Sequence, residues 1–213
     1  MIKFVLFDLD GVLINSGKDI CEATNYSLRT LGYPSKTVQE MEPTYSMHVY
    51  ERFSLWIDDE ENRQKAGELY KEHYLDVLSK KTELYDGAAD VVHKLCATRK
   101  LGIISNKHSQ VIEEILRIHD LLKLFDIIVG GNTVSEHKPH PMGILQALGE
   151  FDFSPEETIM IGDTNTDILA GKRAGVQTCG VVYGLGNVEL LKASNPDYLI
   201  GDVRDLISVC EKA

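Results

Sequence analysis

Apolar residues fall along this chain in short runs, and several of those runs end in a polar cluster. Ile2, Phe4, Val5, Leu6 and Phe7 lead into Asp8-Leu9-Asp10-Gly11, and Leu101–Ile104 leads into Ser105-Asn106-Lys107. Ile127-Ile128-Val129 is followed, after a polar loop, by Lys138-Pro139; Thr158–Ile161 opens onto Gly162-Asp163-Thr164-Asn165-Thr166-Asp167. Short, continuous apolar runs of this kind suit strands covered on both faces of a parallel sheet. The pattern predicts strands near 2–8, 100–104, 126–130, 158–162, 178–182 and 197–200, and helices near 86–98, 108–118, 141–149, 166–174 and 203–212. Gly149 and Gly175 suit helix ends, and Pro155 a loop before a strand. Strand and helix alternate, which predicts an α/β fold with a parallel sheet.

Residues 14–82 break the alternation. Asp19–Leu31 reads as a helix with Ile20, Ala23, Thr24, Ser27, Leu28 and Leu31 on one side. Glu60–Leu78 reads as another, with Leu69, His73, Leu75 and Leu78 available for packing, and Pro34 and Pro43 punctuate the stretch between them. The expectation is an all-helical insertion of about four helices, hinged near Ile14–Ser16 and Lys81–Gly87. Domain limits follow: 1–14 with 83–213 as one core, 15–82 as the insertion.

The polar clusters all follow strands, and in an open parallel sheet that edge is where ligands bind. Asp8 and Asp10 share one parity, so a strand ending at Asp8 with a turn at Gly11 lets both point into one space. Two anions crowd together when a cation sits between them or when one takes a proton. A hard divalent cation such as Mg2+ fits the first case, since it takes oxygen ligands and substrate phosphate. On these two residues alone, an ordinary strand end with acidic turn residues is equally open.

Taken together the clusters resemble those of the haloacid dehalogenase superfamily, over the whole chain and in the family's order. Asp8-Leu9-Asp10-Gly11 resembles its first motif, Ser105 its second, Lys138 its third, and Gly162-Asp163 with Asp167 its fourth. The resemblance implies a Rossmann-like, doubly wound parallel-sheet core carrying an inserted helical cap domain. It also implies a Mg2+-dependent phosphatase acting through an aspartyl-phosphate. Asp8 would be the nucleophile and Asp10 the general acid and then base, its carbonyl oxygen also a metal ligand. Ser105 would hold the phosphoryl group, with helix capping near His108 as its alternative role. Lys138 would set a charge against nucleophile and phosphate. Asp163 would bind the metal directly; Asp167 would act through water, or as an orienting residue, or only as a helix N-terminal acid. Dehalogenases of this fold lack the acid seen at Asp10 and need no metal, which favours phosphoryl chemistry.

Within the superfamily, Ser105-Asn106-Lys107 resembles the phosphoglycolate phosphatases. Asn106 and Lys107 would then contact substrate, Lys107 through a substrate carboxylate, and Tyr45, His48 and Arg52 of the insertion could read the rest. Val12 and Asp86 stand where those enzymes usually carry Thr and Pro, and residues 42–48 lack their glycine-rich loop, so the substrate stays open. The rival readings are a sugar phosphomutase of the β-phosphoglucomutase type, an inorganic pyrophosphatase, and a non-catalytic binding module.

Bulk composition narrows the classes. The chain has 213 residues, 43% of them hydrophobic, and a formal charge of −11. That charge disfavours nucleic acid and acidic membrane surfaces as partners, but not a small anionic metabolite in a locally basic cleft. Cys21, Cys96, Cys179 and Cys210 are widely spaced, which predicts reduced thiols rather than a metal knuckle. No apolar run approaches the roughly 20 residues that span a bilayer, and the apolar start is too short for a signal peptide. A cytoplasmic monomer or homodimer is the expectation.

Overall fold

The computed structural model describes residues 1–78 and 81–212, with Leu78 described in its backbone only; the expected packing of the Leu78 side chain lies outside the described residues. Strand β1 (Phe4–Phe7) is followed by a two-residue strand β2 (Ile14–Asn15). Then come α1 (Gly17–Thr30), α2 (Val38–Met41), α3 (Val49–Ser54) and α4 (Glu60–His73). Strand β3 (Glu83–Leu84) pairs antiparallel with β2, Ile14 opposite Leu84, so a small ribbon ties the entry of the helical segment to its exit. The remaining elements alternate: α5 (Ala88–Cys96), β4 (Lys100–Ile104), α6 (Ser109–Ile118), β5 (Ile127–Val129), α7 (Met142–Phe151) and β6 (Thr158–Gly162). The chain closes with α8 (Asn165–Ala174), β7 (Gln177–Val181), α9 (Val188–Ala193), β8 (Tyr198–Ile200) and α10 (Leu206–Lys212).

Six strands form one parallel sheet in the order β5-β4-β1-β6-β7-β8. This is the doubly wound α/β arrangement that the alternation predicts. β1 is buried throughout because both faces are covered: Val5 and Phe7 pack into one hydrophobic cluster, Phe4 and Leu6 into the other. The chain moves outward from β1 to β5 and then restarts on the other side at β6, so the strand order reverses beside β1. That switch point is where a crevice opens beyond the strand ends.

In the helical segment, α1 buries Ile20, Ala23, Thr24, Ser27 and Leu28 as the spacing predicts, while Leu31 is only half-buried. The buried face of α4 is Ala66, Gly67 and Tyr70, with Tyr74 one turn further on, and Leu69 lies beside it rather than on it. The expected helix to Leu78 changes character on the way: α4 stops at His73 and Tyr74–Leu78 continue it as a π turn. Gly149 does not end its helix; α7 continues to Phe151 and stops at Asp152, whose φ of 54° supplies the left-handed cap. Gly175 caps α8 as predicted. No helix among the described residues is long and apolar enough to cross a membrane.

Candidate active site

Register places the acids. Phe7, the last residue of β1, lies opposite Ile103 of β4 and Ile161 of β6. Asp8, Ser105 and Asp163 therefore emerge from three adjacent strands at nearly the same level, at the switch point. Asp8 stays anchored by its own backbone, N–H to the Ile161 carbonyl at 2.8 Å. Lys138 comes from the loop after β5. Its ammonium donates to the Ile104 carbonyl (2.8 Å) and to Asp167 Oδ1 (2.6 Å), and lies 3.0 Å from Asp8 Oδ1.

Asp167 sits in the first turn of α8. Its Oδ2 accepts from the Thr164 N–H (3.0 Å) and hydroxyl (2.6 Å), so it caps the helix while its other oxygen faces Lys138. The expected helix N-terminal acid is thus observed, and the same carboxylate also contacts Lys138. Asp163 is held differently. The N–H groups of Leu185 and Gly186 donate to its Oδ2 at 2.7 and 2.9 Å. Those donors come from the turn after β7. A Cβ on Gly184 would lie 2.3 Å from the Asp163 Cβ, and a Cβ on Gly11 (φ +81°) would lie 2.0 Å from Asp163 Oδ2. Glycine is what lets both turns close on this acid.

Side-chain oxygens of Asp8, Asp163 and Asp167 all lie within 4.8 Å of one another. Asp163 Oδ1 is buried with no hydrogen-bond partner among the described residues, and buried Asp8 Oδ1 has only the Lys138 ammonium, 3.0 Å away. Burial, with Asp167 and Asp10 adding repulsion against the attraction of Lys138, pushes the Asp8 carboxyl up to about 6. Burial raises Asp163 well above the usual carboxylate range, and Asp167 and Asp8 raise it further. Three crowded buried carboxylates, one with an oxygen left without a partner among the described residues, fit a hard divalent cation such as Mg2+. Protons and cation compete for the same oxygens. Mg2+ should therefore raise Tm, and more at about pH 7 than at about pH 5; saturation at a hundredfold over Kd is worth about 2.7 kcal/mol. Thermal scans with Mg2+ and with chelator at both pH values test this, and no Mg2+ effect at either pH would rule the cation out.

The Asp10 carboxylate is not in that cluster, so its expected place among the metal ligands can rest only on its backbone carbonyl. The turn at Gly11 swings its side chain toward the helical segment, where the Ser16 hydroxyl donates to Oδ1 and the Lys107 ammonium lies 3.0 Å away. Ser16 escapes sequence reasoning, although it stands at the expected hinge. Lys107, expected to reach a substrate carboxylate, instead spends its charge on Asp10. Ser105 does not cap a helix: α6 starts at Ser109 with His108 as its N-cap, and the Ser105 hydroxyl accepts from the Lys107 N–H at 3.3 Å.

Asn106 is likewise engaged. Its amide donates to the Ser46 carbonyl (2.9 Å) and accepts from the Lys138 N–H (3.2 Å), bracing core against insertion rather than standing free for substrate. Arg52 is buried, and its Nε and Nη2 donate to the carbonyls of Thr44, Tyr45 and Met47. It has no carboxylate partner among the described residues. His48 stacks on His137 of the core at 4.0 Å, and burial, followed by the charges of His137 and Arg52, lowers it to about 4, so it is neutral at pH 7.

One cavity of about 330 Å³ joins these groups, running from Asp8, Asp10 and Ser105 to Tyr45, His48 and Arg52. The sequence profile of the family described as "Haloacid dehalogenase-like hydrolase" matches residues 5–181. Among curated relatives, a phosphoglycolate phosphatase of Aquifex aeolicus is 32% identical over 99% of this chain and 97% of its own length. A pyrophosphatase PpaX of Bacillus cereus is 32% identical over 98% of this chain and 96% of its own length. A haloacid dehalogenase-like family hydrolase from Streptococcus pneumoniae superposes with a TM-score of 0.87 at 25% identity, covering 98% of each chain.

Proposed function

The chain belongs to the haloacid dehalogenase-like hydrolases and is a phosphoric monoester hydrolase, and we propose that it uses Asp8 to hydrolyse a small phosphorylated metabolite. The observation that carries this is the Asp8 carboxylate itself: buried at the switch point, paired with the Lys138 ammonium at 3.0 Å, and grouped with Asp163 and Asp167. An Asp8 oxygen attacks phosphorus as the bond to the leaving oxygen breaks, and Asp10 gives that oxygen its proton. Water then attacks the aspartyl-phosphate, Asp10 takes the water's proton, and Asp8 is restored. Lys138 and Ser105 hold the phosphoryl oxygens in place as charge shifts. Mg2+, held by Asp8, Asp163, Asp167 and the Asp10 carbonyl, would neutralise phosphate charge. Residues 15–82 act as the cap that covers the site, and 1–14 with 83–213 as the catalytic core.

Phosphate release from a panel of small phosphorylated metabolites with Mg2+ tests the reading. An isomerised sugar phosphate would instead mean a mutase, and no turnover of any ester, generic aryl phosphates included, would mean a binding module. The PpaX relative keeps pyrophosphate on the panel. The cavity wall argues for an organic ester: Lys107 is committed to Asp10, Lys138 to Asp8 and Asp167, and Lys71 to Glu68. A highly charged diphosphate would find few uncommitted cations there.

For phosphoglycolate, Arg52 replaces Lys107 as the reader of the carboxylate, because it lines the cavity and has no acidic partner among the described residues. Arg52→Gln should then lower kcat/KM for phosphoglycolate about tenfold to a hundredfold more than for a neutral aryl phosphate, the worth of one charged hydrogen bond. Equal losses on both substrates would remove the carboxylate from the proposal.

A further inference from the structure

Lys107 is buried between two groups from different parts of the fold. On one side is Asp10 Oδ1 at 3.0 Å; on the other is the ring of Tyr74, whose centroid lies 4.2 Å from the ammonium. Desolvation is the strongest influence and works against a buried ammonium, yet attraction to Asp10, the neighbouring Tyr74 and Tyr70 and the hydrogen bond to Asp10 together outweigh it and Lys107 is held cationic. Tyr74, just beyond α4, is fully buried, and its hydroxyl has no hydrogen-bond partner among the described residues. It is the ring, not the hydroxyl, that does something here. Tyr74 also begins the π turn Tyr74–Leu78, a departure from regular helix of a kind frequent at functional sites. Its ring continues a row in the insertion, with Tyr70 at 5.6 Å from Tyr74 and Phe53 at 6.4 Å from Tyr70.

We propose that Tyr74 is a positioning residue for Asp10: its ring holds the Lys107 ammonium against the Asp10 carboxylate, so that packing of the helical insertion on the core sets the general acid in place. The idea rests on the reading of Asp10 as the acid. A cation held between an aromatic face and a carboxylate, away from water, is confined in direction as well as charge. Ser16 completes the confinement from the hinge. Asp10, Ser105 and Lys107 belong to the core strands' ends, whereas Tyr74 arrives only with the insertion. A cap that covers the site thereby also finishes it.

The test is leaving-group dependence. kcat/KM reports steps through formation of the phospho-enzyme, and protonation matters there for a poor alkyl leaving group and little for nitrophenolate. Tyr74→Leu should lower kcat/KM about tenfold or more on an alkyl phosphate but by under about threefold on nitrophenyl phosphate, the range expected of a desolvated cation–π contact. Tyr74→Phe keeps the ring, so it should retain the parent's leaving-group slope and raise Tm by removing an unsatisfied hydroxyl. Asp10→Asn should show the steep slope in full, and Tyr74→Leu combined with it should add nothing further. Lys107→Met breaks the same contact from the core side and stands in if leucine at 74 prevents folding. Equal losses on both esters, or Tyr74→Phe as damaging as Tyr74→Leu, would overturn the relay while leaving Asp10 as the acid. A flat slope for Asp10→Asn would overturn both.

Discussion

Asp8→Asn should lower turnover by about 10⁴-fold or more, because it removes the atom that takes the phosphoryl group and with it the two-step route. The protein itself should survive. Asn is nearly isosteric, and the variant gives up a buried carboxylate whose ionisation is already opposed by burial and by Asp167 and Asp10. Its Tm without metal should therefore match or exceed the parent's. Two measurements decide the matter together. Acid quenching of the parent during turnover should leave a phosphoryl group on the peptide that contains Asp8, and the variant should carry none. A variant within about a hundredfold of the parent, or a parent phosphorylated elsewhere, would reassign the nucleophile.

The central core strands β1 and β6 are legible in the sequence because they are buried on both faces and so read as short continuous apolar runs. Phe4–Phe7 and Thr158–Gly162 need no information from outside themselves. The pairing of Ile14 with Leu84 is different: two residues make no pattern, and the ribbon exists only because the insertion returns to its starting point. α9 is missed for a related reason, being six residues long and started by the Asn187 cap rather than by periodicity. In α4 and the π turn after it, a leucine at 69 draws attention that belongs to Tyr70 and Tyr74, since aromatic residues on a charged helix look amphipathic until their neighbours are known.

The acids and Lys138 are legible because each stands directly after a strand or in the loop beyond one. What surrounds them is not. The amides that clasp Asp163 lie 22 and 23 residues away, and Lys107 and Asp10 are 97 residues apart. Sequence spacing is blind to such contacts, so Lys107 looks like a free cation at the cavity mouth when its charge is already committed. Helix capping by Asp167 is local and readable; that its second oxygen turns to Lys138 is not.

The largest expected loss of stability belongs to Lys138→Met. The Lys138 ammonium is the one cation within an ion-pair distance of Asp8 and Asp167 among the described residues, and it is buried with them. Removing one partner of a buried ionic cluster costs about 3–5 kcal/mol, which for a chain of this size lowers Tm by roughly 10 °C. Activity should fall with it, as the phosphoryl group loses its fixed counter-charge. The cost should depend on pH in a definite direction. Asp8 is already raised to about 6, and without the attraction of Lys138 it rises further. A carboxyl raised in the folded protein binds protons there that the unfolded chain has released, so the variant is penalised least at low pH and most once pH passes the folded value. The Tm gap between parent and variant should accordingly narrow as pH falls from about 7 to about 5. Mg2+ should narrow it as well at about pH 7, by supplying positive charge to the same carboxylates, yet should not restore turnover, since the phosphoryl group would still lack the fixed ammonium of Lys138. A gap that is constant in pH and indifferent to Mg2+ would mean that Lys138 stabilises the fold through its bond to the Ile104 carbonyl alone, and that the carboxylates never depended on it.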